Sequence, residues 1–521
     1  MPEKSYSRKL LYLVGITLIA RCLLACAINL GNDEAYYFTY ALQPDWNHFD
    51  HPPLVGIFIR IFTLNLHWVN TFSMRLTAII AAAISTWIIF QCGKLLKNER
   101  TGWIAAILYN TSIYTSIISG VFILPDSPQT VFWLLSIFVV LKLVLDNHTK
   151  QQENRRLILL GIYIGLATMC KVHGVFLWFG IFMYMVIYDR QYFSNYFLYL
   201  SLFITLIIIS PIFFWNLHYH FITWSFHSQR VEVHRFAINT TGFITALAGQ
   251  IGYNNPINII IYILALTGIK KVVFPRKTLH LLNWLIFPVI IVVTAISLFR
   301  DVLPHWSGPG FTGLMLLAAF VLDGYFSTKK IRLYRRWLNA ASVLIIVFTL
   351  AGIYFIRLYP GTLGDKQPSE LGSGDVTLDM YDWQDLKKEF NNIRNKAIDS
   401  GLMKQDDPIV TDKWFPGGHV LFYVGYPLHI PVIGAGSVFE LHKFAWLNRM
   451  EGYIQKGENA WYITSSNYFN DPLKQYTDDF QQIILIKKIP QTRSGAVVRF
   501  WYIYRLKNAT RTLGHILKNQ L

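Results

Sequence analysis

The first long apolar run, LLYLVGITLIARCLLACAINL (residues 10–30), is followed at once by GNDEAYY (residues 31–37). A helix needs about 20 apolar residues to cross the hydrocarbon core of a bilayer, and this run has that length. Two adjacent carboxylates, Asp33 and Glu34, therefore stand where the first membrane helix is expected to end. Charge so close to lipid is costly, so its presence indicates a functional group rather than a membrane anchor.

The composition of the whole protein is that of a polytopic membrane protein. Of its 521 residues, 53% are hydrophobic and only 15% are charged, and the mean hydropathy is +0.35. These values are too apolar for an ordinary soluble domain. The formal net charge of +17 comes mostly from basic clusters in short loops between apolar runs. That distribution is the positive-inside pattern of a bilayer protein, so no nucleic-acid partner is expected.

Apolar runs of similar length recur over the first two thirds of the sequence. They predict about eleven transmembrane helices, near residues 10–30, 70–93, 101–120, 128–146, 157–171, 174–189, 196–216, 256–274, 280–299, 308–328 and 338–358. With the N-terminus in the cytoplasm, the basic clusters fall on the cytoplasmic side. The segments that then fall outside are 31–69, 120–127, 171–174, 217–255 and 300–307, together with the C-terminal tail. We expect the first helix to remain uncleaved, although residues 25–27 resemble a signal-peptide cleavage site.

The tail after about residue 358 changes character. Residues 361–374 are rich in Gly, Pro, Ser and Asp and predict a linker. The pattern beyond it predicts helices over 383–398 and 417–424 and strands over 409–411, 460–464, 483–489 and 497–504. Such alternation indicates a small α/β domain. We therefore expect two domains: a transmembrane catalytic module over 1–358 and a soluble extracytoplasmic α/β domain over 359–521.

The outer segments carry polar groups that a membrane anchor does not need. They include Asp33, Glu34, Asp50, His51, Asp126, Lys171, Arg230, Arg235, Arg300 and His305. Cations neutralise a phosphate leaving group, and a carboxylate acts as general base on an acceptor hydroxyl or amine. The combination favours chemistry on a phosphate-linked lipid at the outer face of the membrane.

Each of these residues also has a structural explanation. Asp126 is suited to capping the helix that follows it, and Asp33 and Glu34 are suited to the N-terminal end of an interfacial helix. Lys171 is suited to reaching the interface from within the bilayer. The histidines and arginines of the later segments are suited to contacts with lipid headgroups. Because all of these explanations would have to hold together on one face, a shared functional cavity is favoured.

Several of these segments resemble a known family. DEAYY (33–37) and FDHPPL (49–54) resemble the first outer loop of the polytopic GT-C glycosyltransferases of the dolichyl-phosphate-mannose protein mannosyltransferase type. The bacterial relatives of that family include the aminoarabinose lipid A transferases. LPDSP (124–128) resembles the second acidic motif of the family, and GLATMCK (165–171) and PHWSGPG (304–310) resemble further family segments. The resemblance covers about residues 1–350.

The resemblance implies a GT-C fold, a sugar donor carried on a polyprenyl phosphate such as undecaprenyl phosphate, and transfer with inversion. Asp33 matches the family's catalytic carboxylate, and Glu34 and Asp126 match supporting positions. The candidate contacts to the donor phosphate are His51, Lys171, Arg230, Arg235, Arg300 and His305. The candidates for the sugar and acceptor cavity are Tyr36, Tyr37, Asp50 and Trp306. Aminoarabinose transferases have a lysine directly before the two prolines, where this protein has His51, so the sugar stays open.

The sequence thus predicts a glycosyltransferase of a bacterial inner membrane, with its C-terminal domain in the periplasm. Its partners would be the lipid-linked sugar donor, membrane lipids and an acceptor, which is lipid A, a glycolipid, a protein or a cell-envelope polymer. The sequence requires no cofactor and leaves divalent metal dependence open, because His48, Asp50 and His51 match no recognised ligand spacing. One alternative is a transporter or lipid flippase, which would need carboxylates at mid-membrane and often has inverted repeats. The other is a scaffold whose tail binds partners.

Overall fold

The protein is mostly helical. The computed structural model describes residues 4–231, 238–325 and 331–520. The helices of the first two thirds of the sequence are α1 (Lys4–Ala27), α2 (Asn32–Leu42), α3 (Leu54–Phe62), α4 (Thr71–Leu96), α5 (Glu99–Thr111), α6 (Asp126–Leu145), α7 (Lys150–Cys170), α8 (Val175–Tyr188), α9 (Tyr196–His218), α10 (Ile222–Val231), α11 (Thr240–Tyr253), α12 (Pro256–Gly268), α13 (Arg276–Ser297), α14 (Gly308–Gly324) and α15 (Ile331–Arg357). Each of the predicted apolar runs overlaps one of these helices.

Several helices have the dimensions of membrane spans. Within the described ranges, seven are long and apolar enough to cross a bilayer: Tyr6–Ala27, Thr71–Leu96, Asp126–Leu145, Tyr196–His218, Arg276–Ser297, Pro304–Gly324 and Arg332–Arg357. Two shorter apolar helices, Val172–Tyr188 and Pro256–Gly268, fall below that length, since a helix rises only about 1.5 Å per residue. The prediction of a polytopic α-helical membrane protein is confirmed.

Two of the segments assigned to the outer face contain regular structure of their own. Residues 31–69 include α2 and α3, and residues 217–255 include α10 and α11. The apolar stretches of these helices are too short to cross a bilayer, so run length alone does not reveal them. These two segments therefore contain short helices in addition to loops.

The structure consists of two compact units that alternate along the sequence. The first unit comprises Met1–Leu23, His51–Phe58 and Arg75–Thr349, and the second comprises Leu24–Asp50, Ile59–Met74 and Leu350–Leu521. The domain boundary at residue 358 stays a prediction. In the second unit, residues 24–50 and 59–74 pack with the C-terminal part of the protein.

Small residues allow close helix packing in the first unit. At Gly161 of α7, an added Cβ would lie 2.3 Å from the carbonyl oxygen of Ser201 in α9. Ser201 Oγ donates to the carbonyl of Leu157 at 2.6 Å, and Thr205 Oγ1 donates to the carbonyl of Gly161 at 2.8 Å. Membrane helices approach closely where small residues and hydroxyl groups line the contact, so Gly161 sets the distance between α7 and α9.

The C-terminal part of the second unit is built on a mixed sheet. Its strands are β1 (Ile409–Thr411), β2 (Val432–Gly434), β3 (Ala460–Ser465), β4 (Phe480–Arg493) and β5 (Ala496–Ala509), in the order β2-β1-β3-β5-β4. β1 is parallel to β2 and β3, whereas β5 is antiparallel to β3 and β4. The helices here are α16 (Trp383–Asp399), α17 (Trp414–Val420), α18 (Tyr426–Leu428), α19 (Val438–Leu441), α20 (Phe444–Glu451), α21 (Pro472–Tyr476) and α22 (Ile516–Gln520). The predicted α/β domain is confirmed.

Most of these strands were predicted from the sequence, but some of the predicted strands are shorter than those observed. β1 and β3 begin where predicted, and the β4–β5 hairpin extends several residues beyond its predicted ends. Ser494 and Gly495 form its turn with φ of 49° and 82°, the positive values typical of a two-residue hairpin loop. β2 was not predicted from the sequence.

We expect Gly161→Ala to destabilise the protein, because the new methyl group would overlap the backbone of α9. Overpacking of this kind costs about 1–3 kcal/mol. The apparent melting temperature in detergent should fall. Gly15→Ala in α1 is the matched control, since nothing lies within 4 Å of a Cβ at that position. Equal melting of both variants would contradict the close α7–α9 contact.

Candidate functional site

A buried ion pair lies in the first unit. Lys171 Nζ is 2.8 Å from Asp126 Oδ2, and the two side chains are only 3% and 2% exposed. The Tyr114 hydroxyl donates to Asp126 Oδ1 at 3.0 Å. Asp126 is the first residue of α6, but its carboxylate interacts with a lysine and a tyrosine from other elements. These contacts go beyond those of a simple helix cap, which was the structural explanation suggested by the sequence.

The elements around this pair hold it in place. Gln129 Nε2 donates to the carbonyls of Lys171 and Ala167 at 2.7 and 3.1 Å, which ties α6 to the C-terminal end of α7. A Cβ at Gly308 would lie 2.4 Å from the Tyr114 ring, so the glycine of the PHWSGPG segment makes room for this ring. Three segments singled out from the sequence therefore meet at one cluster.

Two histidines complete the cluster. His173 and His305 lie within electrostatic range of both Asp126 and Lys171. The His173 ring is also 6.2 Å from the ring of Trp306, and its Nδ1 has no hydrogen-bond partner among the described residues. Since Asp126 balances the charge of Lys171, the imidazoles and the remaining ammonium hydrogens are the donors that this cluster can offer to an anion.

The other candidate cations of the first unit contact α10. The His51 ring is 6.1 Å from the ring of His227, and Arg300 Nη2 donates to the carbonyl of Gln229 at 2.6 Å. His51 also lies within electrostatic range of His173. Two further candidates lie outside the described side chains: Arg230 and Arg235.

The adjacent carboxylates Asp33 and Glu34 differ in environment within the second unit. Glu34 is 1% exposed, and its Oε2 accepts a hydrogen bond from the Gly31 amide at 2.8 Å, closing a capping box at the start of α2. Asp33 is exposed on the same turn. The helix-terminus explanation therefore holds for Glu34, whereas Asp33 is exposed to solvent.

Residues 29–32, directly before this turn, are fixed by C-terminal residues of the same unit. Hydrogen bonds of 2.7–3.1 Å join Asn29 to Met380 and Trp383, Leu30 to His419 and Tyr423, and Asn32 to Asp379. In addition, a Cβ at Gly418 would lie only 3.0 Å from the amide nitrogen of Tyr36. The C-terminal domain thus holds the backbone from which Asp33 extends.

The candidates for the sugar and acceptor cavity in this unit form a buried hydrogen-bonded group. Tyr36 and Tyr40 both donate to Asp50 Oδ1, at 2.7 and 2.5 Å. Burial, reinforced by the negative charge of Asp50, raises the pKa of both phenols well above its usual value. The Lys443 amide donates to the Tyr36 hydroxyl at 3.2 Å, and the ring of Tyr37 packs 5.3 Å from that of Tyr40. These contacts anchor α2. A direct role of Tyr36, Tyr37 and Asp50 in binding the sugar or the acceptor stays a prediction.

The sequence did not single out Tyr114, which belongs to the cluster around Asp126, or Arg75, a buried cation of the first unit. No sequence pattern indicated a functional role for Tyr114, because its hydrogen-bond partner Asp126 lies on another helix. Arg75 gave a signal that was not used: it is a charged residue in an apolar run, and it is fully buried with its guanidinium 5.3 Å from the ring centre of Phe122. Charged residues in membrane segments are functional candidates by default.

Replacement of either member of the buried pair should be more costly than replacement of both. Asp126→Asn or Lys171→Met alone leaves an uncompensated buried charge, which costs about 3–5 kcal/mol. The double variant removes both charges and should recover much of the loss. Apparent melting temperatures of the four proteins in detergent measure this coupling, and additive losses would contradict the ion pair.

The carboxyl group of Asp379 should make stability depend on pH. Burial raises its pKa from 3.8 to about 6, although Asn32 and Tyr468 donate hydrogen bonds to it. The native state then holds this proton more tightly than the unfolded polypeptide, so stability falls as pH rises from about 4 to about 6. Asp379→Asn removes the ionisation and should stabilise the protein above pH 6 by about 2–3 kcal/mol.

Thermal melting of wild type and Asp379→Asn between pH 4 and pH 8 tests this expectation. The variant should melt a few degrees higher at pH 7.5, and the two curves should converge near pH 4. Asp399→Asn replaces an exposed aspartate of α16 and should leave the pH profile unchanged. Parallel profiles for wild type and Asp379→Asn would contradict the raised pKa.

One sequence family matches part of the protein. A sequence model of the dolichyl-phosphate-mannose-protein mannosyltransferase family matches residues 50–215. This range includes Asp126 and Lys171 and ends before the C-terminal domain. No curated protein matches by sequence.

Solved structures match nearly the whole chain. A crystal structure of ArnT from Cupriavidus metallidurans in the apo state is 12% identical, with 96% of this chain and 98% of that chain covered and a TM-score of 0.64. The structure of the same protein bound to undecaprenyl phosphate is 14% identical, with 95% and 97% covered and a TM-score of 0.63. The resemblance found in the sequence motifs is thereby confirmed, and the protein has the GT-C fold over nearly its entire length.

Proposed function

We propose that this protein is a membrane glycosyltransferase that moves a sugar from a polyprenyl-phosphate carrier to an acceptor. The observation that carries the proposal is the similarity in fold, over 95% of the sequence, to a protein crystallised with undecaprenyl phosphate. The match of residues 50–215 to a family named for dolichyl-phosphate-mannose supports a lipid-linked sugar donor. The reaction takes place at the outer face of a bacterial inner membrane, with the N-terminus in the cytoplasm and the C-terminal domain in the periplasm.

Asp33 acts as the general base. Its carboxylate takes the proton from an acceptor hydroxyl or amine while the acceptor atom bonds to the anomeric carbon of the sugar. The bond between that carbon and the phosphate oxygen breaks, and its electron pair leaves with the polyprenyl phosphate. Attack from the side opposite the phosphate inverts the anomeric configuration. The exposure of Asp33 and the hydrogen bonds that fix residues 29–32 support this role.

The cluster around Lys171 binds the leaving phosphate. A lysine ammonium has three N–H donors, and Asp126 accepts one of them at 2.8 Å, which leaves donors for a phosphate oxygen. His173 and His305 add neighbouring imidazoles, and His51 lies within electrostatic range of His173. Arg300, which contacts α10, is a further proposed contact to the phosphate. Donors placed where negative charge develops stabilise the transition state. Glu34 and Asp126 support the reaction by fixing α2 and Lys171.

Substitution of Asp33 and of Glu34 should have different consequences. Asp33→Asn removes the base and should reduce turnover by about 10²–10⁴-fold, with a melting temperature near that of wild type. Glu34→Ala removes the cap of α2 and should lower stability by about 1 kcal/mol. The measurement is release of undecaprenyl phosphate, by mass spectrometry, from undecaprenyl-phospho-sugars incubated with the purified protein in proteoliposomes.

The matched control for this experiment is Asp399→Asn. It replaces an aspartate on an exposed helix face of the second unit and should leave turnover unchanged. Near-normal turnover in Asp33→Asn would remove the base assignment. Translocation of the intact donor lipid without release of undecaprenyl phosphate would instead support the transporter or flippase alternative.

A further inference from the structure

The α/β part of the second unit contains a cavity that the transfer reaction does not use. Its volume is about 520 Å³, which lies within the usual range for a small-molecule site. The residues that follow β1 and β3 form much of its wall. The lining includes Thr411, Asp412, Lys413, Thr464, Ser466 and Asn467.

The strand order explains why a cavity forms at this place. β1 lies between β2 and β3 and is parallel to both. The backbone leaves β1 towards β2 on one side and returns to β3 on the other side. Connections that diverge in this way leave a crevice beyond the carboxyl ends of the two strands, and open α/β sheets bind their ligands in such crevices.

Polar groups of the cavity wall are held in fixed positions. Asn470 Nδ2 donates to Asp412 Oδ2 at 2.6 Å, and the Tyr462 hydroxyl donates to Asp412 Oδ1 at 3.2 Å. Asp412 is 7% exposed. Each carboxylate oxygen therefore has one donor and keeps accepting capacity for another. A ligand hydroxyl would find an acceptor there that is already oriented.

Asn467 supplies the independent indication of a ligand. The residue lines the cavity and is only 6% exposed, yet neither its Oδ1 nor its Nδ2 has a hydrogen-bond partner among the described residues. A buried polar group without a partner costs about 1–3 kcal/mol. A bound molecule that both donates and accepts hydrogen bonds, as a hydroxyl does, would satisfy this amide.

Aromatic rings and charge narrow the class of ligand. Phe415 is half-buried in the wall, and Tyr468 and Phe469 are 37% and 45% exposed at the cavity. Asp412 and Glu370 bring negative charge, and Lys413 is 3.6 Å from Glu440. This balance disfavours phosphates and other anions. A pyranose ring has an apolar face for the aromatic side chains and hydroxyl groups for Asp412 and Asn467.

We propose that this cavity binds an uncharged or amino-bearing pyranose, as a saccharide site distinct in its residues from the transfer chemistry. The carboxylate of Asp412 and the amide of Asn467 hydrogen-bond the sugar hydroxyls, and Phe469 packs on the ring face. This site does not depend on the proposed activity, because none of its residues takes part in the reaction.

Saturation-transfer difference NMR of the full-length protein in lipid nanodiscs tests the proposal. The probes are the methyl α-D-pyranosides of glucose, mannose and galactose, together with D-glucosamine and the acyclic alditol D-sorbitol. At least one pyranose should receive saturation, and sorbitol should not, because it has hydroxyl groups without the ring face. Asn467→Ala and Phe469→Ala should each reduce the transferred saturation at least fivefold.

Two matched variants distinguish this site from others. Asn392→Ala changes an exposed asparagine of α16 and should leave the signal intact, as should Asp33→Asn. Phe469→Ala keeps the test valid if Asn467→Ala fails to fold, because the Phe469 ring is already half in solvent. The proposal is overturned if no pyranose receives saturation, if sorbitol matches the pyranoses, or if the signal is lost in Asp33→Asn but not in Phe469→Ala.

Discussion

A charge that is buried in protein, away from water, must be compensated by other groups, and this constraint applies to the ion pair of the first unit. The pair formed by Asp126 and Lys171 meets this constraint, with Tyr114 as a further donor. The pair requires α6, the end of α7 and the π-helical turn Tyr114–Ile118 to meet in one arrangement. Removing either partner would leave the other charge buried without its ion-pair partner. The positions of His173 and His305 follow from the same arrangement.

The second unit solves a different physical problem, which is to hold a short, polar segment rigid. Residues 29–32 are too few to pack on their own, and their backbone groups need partners. Helix and turn residues from the C-terminal domain supply them, notably Met380, His419 and Tyr423. A general base must be placed accurately to act. The C-terminal domain therefore fixes the turn that carries Asp33, the residue that we propose as the general base.

The saccharide cavity follows from the topology of the same domain rather than from its contacts with residues 29–32. Parallel pairing of β1 with strands on both sides opens a crevice at their ends. The side chains that follow those strands, Asp412 and Asn467, then determine what the crevice can bind.

The sequence by itself determined the membrane architecture, the α/β character of the tail and the motifs around Asp33 and Asp126. These signals are local: apolar run length, charge in neighbouring loops and short residue patterns are all read within a few turns of backbone. The sequence could not show that Glu34 is buried and Asp33 exposed, because this difference depends on how α2 packs. Nor could it pair Asp126 with Lys171, or Asn32 with Asp379, since these residues come from distant parts of the sequence. Only the tertiary structure decided those contacts, because the free energy that selects them comes from burial and hydrogen bonds formed after distant segments meet.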